Sequence, residues 1–259
     1  MHSILERLAH TAMIPANHKP KAVHAATKND RIMKTQIVKV IKIALGITIG
    51  TAIAAIFCVA LPAFAGDQSA PSRCNAFGNT LAQFENVYIR WLVGNVTLPP
   101  DANGNAVVDH VVLLPIPNTP GDGTAGHLDV TLNRGQAFFL PLLQESGTSY
   151  TDGTPPDPLL PRNYFTGFNV TLRIDGRVVV DNGNKMDYFT QFSFLPPVPL
   201  DFANVDSIIW FQGFNIAHAP LTVGKHTIRL DEKAGQPLPP NFGGVTLEYH
   251  NTWTLTVLP

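Results

Sequence analysis

Apolar side chains recur along this chain at two different periods. After Thr80, Leu81, Phe84, Tyr88 and Trp91 are spaced 3, 4 and 3 apart, which puts them on one helical face. Thr80 and Gln83 form a capping-box pair and Gly94 stands where a helix would stop. The spacing therefore predicts a helix over about 81–93 with its aromatic side packed on a sheet. Beyond Gly94 the pattern is strand-like: short apolar or alternating runs at 107–114, 127–132, 137–140, 166–174, 177–180, 187–195, 207–214, 225–231 and 245–257, separated by Gly, Pro and Asn. Pro141 reads as the stop of the 137–140 strand, and 145–163 reads as a long loop. Asp175-Gly176 between two such runs predicts a type I′ hairpin. Many short strands between turn residues describe a mainly β protein, an antiparallel β-sandwich or jelly roll with one short N-terminal helix. A single domain over 80–259 is the economical reading. Two small immunoglobulin-like units meeting near 145–163 are the other.

Charge divides the chain in two. Residues 1–65 carry 8 Lys/Arg and 2 Asp/Glu, whereas 66–259 carry 10 and 17. The acidic remainder argues against nucleic acid, whose phosphates are bound by clustered Lys and Arg. Residues 43–66 contain no charged side chain, Lys34, Lys39 and Lys42 precede them, and Ala63-Phe64-Ala65 supplies small residues before Gly66. This is the layout of an export signal running from 33 to 65 and cleaved after Ala65. Residues 1–32 then read as an extension or a mis-assigned start, and 66–79 as a tether. An uncleaved anchor is the competing reading of the apolar stretch. The expected location is periplasmic or extracellular, with membrane contact only through the signal. Cys58 leaves with the signal, so Cys74 has no partner for an internal disulfide.

Several local stretches, Arg90-Trp91-Leu92, 134–141 (Arg-Gly-Gln-Ala-Phe-Phe-Leu-Pro), Gly224-Lys225-His226-Thr227-Ile228 and the run from Tyr249 to Val257, together resemble a group of secreted bacterial β-sandwich proteins of unknown function. These open with a Trp-containing helix and close on an aromatic-rich strand. The resemblance spans most of 80–257 and implies the fold and export. It implies no activity, since shared architecture does not carry function.

Candidate chemistry is sparse. His127 and Asp129, and Glu248 and His250, are i, i+2 pairs on two strands, so each pair shares a face. If the two strands are neighbours, the four side chains make a candidate site for a divalent transition metal. The alternative is a solvent face with Leu128 and Tyr249 turned inward. Tyr150, Tyr164 and Phe165, in or beside the long loop, together with His218 near Trp210 and Phe214, are candidate ligand-binding residues for a glycan or an envelope protein. The same aromatics equally suit pinning the loop to the body. Asp101-Ala102-Asn103-Gly104-Asn105 imitates part of a calcium loop but lacks its Gly and Glu, leaving at most a loose calcium site. Asp109-His110 reads as a strand-edge feature and His226 as a hydrogen-bonded, partly buried histidine. There is no Gly-x-Ser-x-Gly elbow; Ser149 is the nearest approach. No cofactor is expected. The sequence thus favours an exported, non-catalytic binding or surface-interaction module. A metal-binding protein or metal-dependent enzyme is the first alternative, and a structural envelope protein the second.

Overall fold

The computed structural model describes residues 69–70, 76–202, 204–240 and 244–259, all within one compact unit. The extension, the signal segment with its cleavage point, Cys58 and Cys74 lie outside the described residues. The chain is mainly β, with two mixed sheets.

Helix α1 spans Leu81–Leu92. Its N-terminus is the capping box foreseen above: the Gln83 amide N–H donates to the Thr80 side chain, and the Thr80 N–H donates to Gln83 Oε1 at 2.7 Å. Such a cap stabilises a helix by about 1 kcal/mol. Of the expected face, Leu81, Phe84 and Tyr88 are buried and Trp91 is partly so, while Glu85 and Ile89, which the spacing left out, are buried as well.

The first sheet is built on β5 (Ala137–Tyr150) and β9 (Val205–His218), two fourteen-residue strands paired antiparallel over their full length. On the far side of β5 lie β3 (Val111–Leu113) and then β2 (Val107–Val108). The free edge of β9 takes β8 (Phe189–Phe202) along one part, and β1 (Ser69–Ala70), inside the expected tether, at His218 and Ala217. The second sheet runs β4 (Asp122–Leu132), β11 (Glu248–Val257), β10 (Gly224–Lys233), β6 (Asn169–Ile174) and β7 (Arg177–Val180). Most neighbours are antiparallel, but β3–β5 and β4–β11 are parallel. A parallel pair needs a crossover, and for β3–β5 the chain supplies it by running through β4 in the other sheet.

Two expected elements change. The 107–114 run is not one strand. Asp109 and His110 both adopt positive φ (46° and 72°) and turn β2 back onto β3 as a two-residue hairpin. Likewise, 145–150 belongs to β5, which passes Pro141 by shifting register between Pro141 and Leu143. A second short helix, α2 (Arg162–Gly167), sits in the connection that follows. Its C-terminal end is capped by buried Lys185, whose ammonium donates to the Thr166 and Phe168 carbonyls and to Asn182 Oδ1. Three donors meet three acceptors at a helix C-terminus, where a cation is favoured.

One apolar core draws on both sheets: Phe138, Leu140, Phe214 and Ile216 from the first, Ile228, Leu230, Trp253 and Leu255 from the second. The face of β5 that carries Phe139 meets α1, with Phe139 against Phe84 and Tyr88 at 5.5 and 5.9 Å between ring centroids. Covered on both faces, β5 reads as an unbroken apolar run instead of an alternation. Beneath the helix, buried Glu85 accepts from the Gln144 amide, and Asn215 in its satisfied orientation donates to Glu85 Oε2 at 2.8 Å and accepts from Thr190. Burial pushes the Glu85 carboxyl up to about 8, with the Gln144 hydrogen bond opposing.

Candidate functional site

The second sheet turns one face to the core and the other to water. On β10, Ile228, Leu230 and Glu232 are buried while Thr227, Arg229, Asp231 and Lys233 alternate with them. On β11, Asn251, Trp253, Leu255 and Val257 are buried, leaving His250, Thr252, Thr254 and Thr256 on the other side. Register then orders this outer face into rows. His127, Thr252, Arg229 and Arg173 are successive cross-strand neighbours from β4 to β6. A second row holds Asp129, Thr254 and Thr227, and a third Ala125, His250, Asp231 and Thr171.

Arg229, Asp231, His250, Glu248 and Lys233 form one chain of opposite charges on this face. Arg229 Nε donates to Asp231 at 2.9 Å and Lys233 Nζ to Glu248 at 2.8 Å. His250 Nδ1 lies 2.8 Å from Asp231 Oδ1 and Nε2 3.2 Å from Glu248 Oε1. Both ring nitrogens face acceptors, and only an imidazolium donates from both. The hydrogen bond that the His250 Nδ1–H donates to Asp231 accordingly raises the His250 pKa above the usual histidine value, with slight burial opposing and Glu248 adding. Glu248 is held below the usual carboxylate range by Lys233 first and His250 second. An imidazolium so held is a poor general base.

The metal reading required β4 and β11 to be neighbours, and they are. Their register nevertheless staggers the two pairs: His127 lies beside Thr252 and His250 beside Ala125. His127 Nε2 instead meets Asp129 of its own strand at 3.3 Å. Among the described residues no group of three or more His, Cys, Asp or Glu is arranged to hold a metal ion. The calcium reading fares similarly. Asp101 Oδ1 accepts from the Asn103 and Asn105 amides at 2.8 and 2.9 Å, and Oδ2 accepts from the Asn105 and Gln136 side chains, both at 3.0 Å. Four N–H donors occupy the oxygens a cation would use; burial, the largest single influence, pushes this carboxyl up, and the four hydrogen bonds together outweigh it and hold it below its usual range.

Of the candidate ligand-binding aromatics, Tyr164 and Phe165 are placed inside and Tyr150 is half-buried at the end of β5. Tyr164 and Phe165 are buried on α2 with rings edge-on at 5.3 Å. Tyr150 donates to Asp157, which also accepts from the Thr148 amide and hydroxyl. The Trp210 indole donates to the Asp157 carbonyl at 2.8 Å, occupying the space that a side chain at Gly147 would need. His218 is buried, stacked on Phe138 at 5.1 Å, and its Nδ1 lies 2.7 Å from the Ala219 carbonyl. These contacts brace the long connection against the sheet. His226, read as a bonded histidine, is held between Asp175 Oδ2 at 2.6 Å and the Thr222 carbonyl at 2.7 Å. Sequence reasoning missed Asp231 and Arg229 as members of the outer face. Their alternation with Leu230 was visible, but not that β11 would set His250 opposite Asp231.

No family model matches the chain, and no curated protein matches it. Several solved structures align to part of it. PbICP-C, solved in complex with falcipain-2, is 10% identical, covers 57% of this chain and 98% of its own, and has a TM-score of 0.24. The cysteine protease inhibitor EhICP2 from Entamoeba histolytica is 14% identical over 57% of this chain and 94% of its own, with a TM-score of 0.22. Amebosin, in its solution structure, is 14% identical over 52% and 97%, with a TM-score of 0.18. Likeness at this level carries no argument about what the present chain does.

Proposed function

We propose that this protein is an exported, non-catalytic binding module, a β-sandwich that uses the outer face of its second sheet as the contact surface. The observation that supports it is the ordered polar array on β4, β11, β10 and β6, in which threonines alternate with internally paired charges. Hydroxyls at fixed cross-strand spacing present donors and acceptors in a plane, which suits the repeating hydroxyls of a glycan or the polar rim of an envelope protein. The self-neutralised charges contribute orientation more than raw affinity. Its place in the cell is read from the leader: a basic start, an apolar stretch and Ala63-Phe64-Ala65.

Glycan-array and envelope-fraction binding of the mature chain tests this reading, with the same fractionation showing whether the chain begins at Gly66. Combined replacement of Arg173, Thr252 and Thr254 by Ala is expected to weaken binding at least tenfold, while Tyr150→Phe leaves it unchanged. Equal binding by the triple variant sinks the reading. The metal alternative keeps one supporting observation, the adjacency of β4 and β11. Stoichiometric Zn, Cu or Mn in the purified protein, lost on His127→Ala, would put it first.

A further inference from the structure

The connection between β9 and β10, residues 219–223, is fastened by a histidine that lies apart from the outer face. His226, the third residue of β10, has a side chain only 11% exposed. Its Nδ1 lies 2.6 Å from Asp175 Oδ2, in the turn between β6 and β7, and its Nε2 lies 2.7 Å from the Thr222 carbonyl, in the connection. Asp175 is fixed independently of the ring: its Oδ1 accepts from the Thr227 amide at 2.9 Å, and its own N–H donates to the Thr227 carbonyl at 2.8 Å. Thr222 and Val223, by contrast, are exposed. The other charged groups around the ring are few. His218, at the far end of the connection, adds its charge to that felt by Asp175. Lys225 precedes the ring on β10 and is exposed, and Arg177 opens β7 opposite Ile174. From β11 the cross-strand neighbour is Leu255.

A carbonyl and an ionised carboxylate can only accept, so the ring satisfies both neighbours only as an imidazolium donating from each nitrogen. Without that proton one N–H remains for two acceptors. The carboxylate carries the full charge and is already held by Thr227, so it keeps the stronger bond, and the neutral carbonyl loses its donor. We propose that His226 is a pH-operated latch: as an imidazolium it pins the β9–β10 connection to the β6–β7 turn, and on losing its proton it keeps Asp175 and releases Thr222. Burial is the largest single influence and pushes His226 down, but the hydrogen bonds to Asp175 and then to Thr222 together outweigh it and hold the ring above the usual histidine value. Burial likewise pushes Asp175 up, and the His226 and Thr227 hydrogen bonds, with the charges of His226 and His218, outweigh it to hold that carboxyl below its usual range. The latch is therefore closed between two limits. The histidine's contribution is fully present below its unfolded value near 6.5 and is lost as pH rises through the raised one, whereas the aspartate's is lost as pH falls through its lowered one. Opening on the alkaline side is selective, since the turn stays docked through Thr227.

NMR of the protein carrying 15N in its backbone and histidine rings, titrated from about pH 5 to about pH 9, tests the latch. The His226 midpoint is expected above 6.5, with the neutral ring protonated on Nδ1. Heteronuclear NOEs of Leu221, Thr222 and Val223 should fall through the same midpoint while those of Asp175 and Gly176 hold. A midpoint at or below 6.5, a neutral ring protonated on Nε2, or a connection equally ordered on both sides of the midpoint overturns the proposal. Asp175→Asn removes the charge and is expected to lower the midpoint by at least about half a unit, roughly a threefold loss of proton affinity; an unchanged midpoint overturns the proposal. His226→Gln cannot titrate, so its connection should keep one NOE pattern across the range. A connection that still loosens at the wild-type midpoint assigns the effect to another group, His218 first, and overturns it. Should either variant fail to fold, the wild-type titration decides alone.

Discussion

The two faces of the second sheet use the same residue types to opposite ends. Outside, Glu248 and Asp231 are ionised, each fixed by a cation and each held below the usual carboxylate range: Glu248 by Lys233, and Asp231 by Arg229 and His250 against partial burial. Inside, one strand position on, Glu232 is pushed up to about 8 by burial and by another acid. The chemistry of the side chain is identical, and access to water decides its charge. Stability should therefore respond to acid and to alkali through different faces. Outer carboxylates lose their contribution as pH falls through their lowered pKa, and inner acids lose theirs as pH rises through their raised one.

The largest way to test the contrast is to strip neighbouring residues from opposite faces of one strand. Trp253 is fully buried and its indole donates to the Pro115 carbonyl at 2.7 Å; Thr254, the next residue, lies on the outer face. Trp253→Ala is expected to cost about 3–5 kcal/mol, as large aromatic truncations in cores do. Thr254→Ala should stay within about 0.5 kcal/mol, the range of ordinary surface changes. Urea unfolding monitored by circular dichroism reads both. Similar losses would mean that the face assigned here to solvent is covered.

A smaller effect separates two lysines. Lys185 is 4% exposed and satisfies three acceptors at the end of α2, while Lys233 makes one exposed pair with Glu248. Lys185→Met leaves the buried Phe168 carbonyl and the part-buried Thr166 carbonyl without this donor and is expected to cost about 2–3 kcal/mol. Lys233→Met should cost less than about 1 kcal/mol. The first loss should resist added salt and the second should shrink with it.

This contrast also marks how far the sequence could be read. The capping box of α1, the Asp175-Gly176 turn and the alternation through 225–230 were legible because each is a local rule acting within a few residues. Both turn residues do take positive φ, 50° and 80°. The Asp109-His110 turn was not legible, because positive φ there falls on residues other than glycine, amid a valine run that mimics a strand. Helix α2 was hidden for a different reason: its cap is Lys185, some twenty residues downstream. For the outer face, the two His/carboxylate pairs and their shared side could be read, and so could the need for adjacent strands. The stagger could not, since register between β4 and β11 is set by packing more than a hundred residues apart in sequence.

The smallest effect concerns His250, which sharpens the outer side of the comparison. Its two nitrogens face Asp231 and Glu248, so its protonated form is the one that fits. The sign follows from that geometry: a histidine with a raised folded pKa contributes fully below its unfolded value near 6.5, and the contribution fades as pH rises through the folded pKa. The ring is 40% exposed, so solvent screening keeps the stabilisation below about 1 kcal/mol. NMR titration of the His250 ring should therefore give a midpoint above 6.5, falling towards it when Asp231 is changed to Asn. A midpoint at or below 6.5 in wild type would mean that the ring does not bridge the two carboxylates, and that charge on the outer face is not organised in the pairs described.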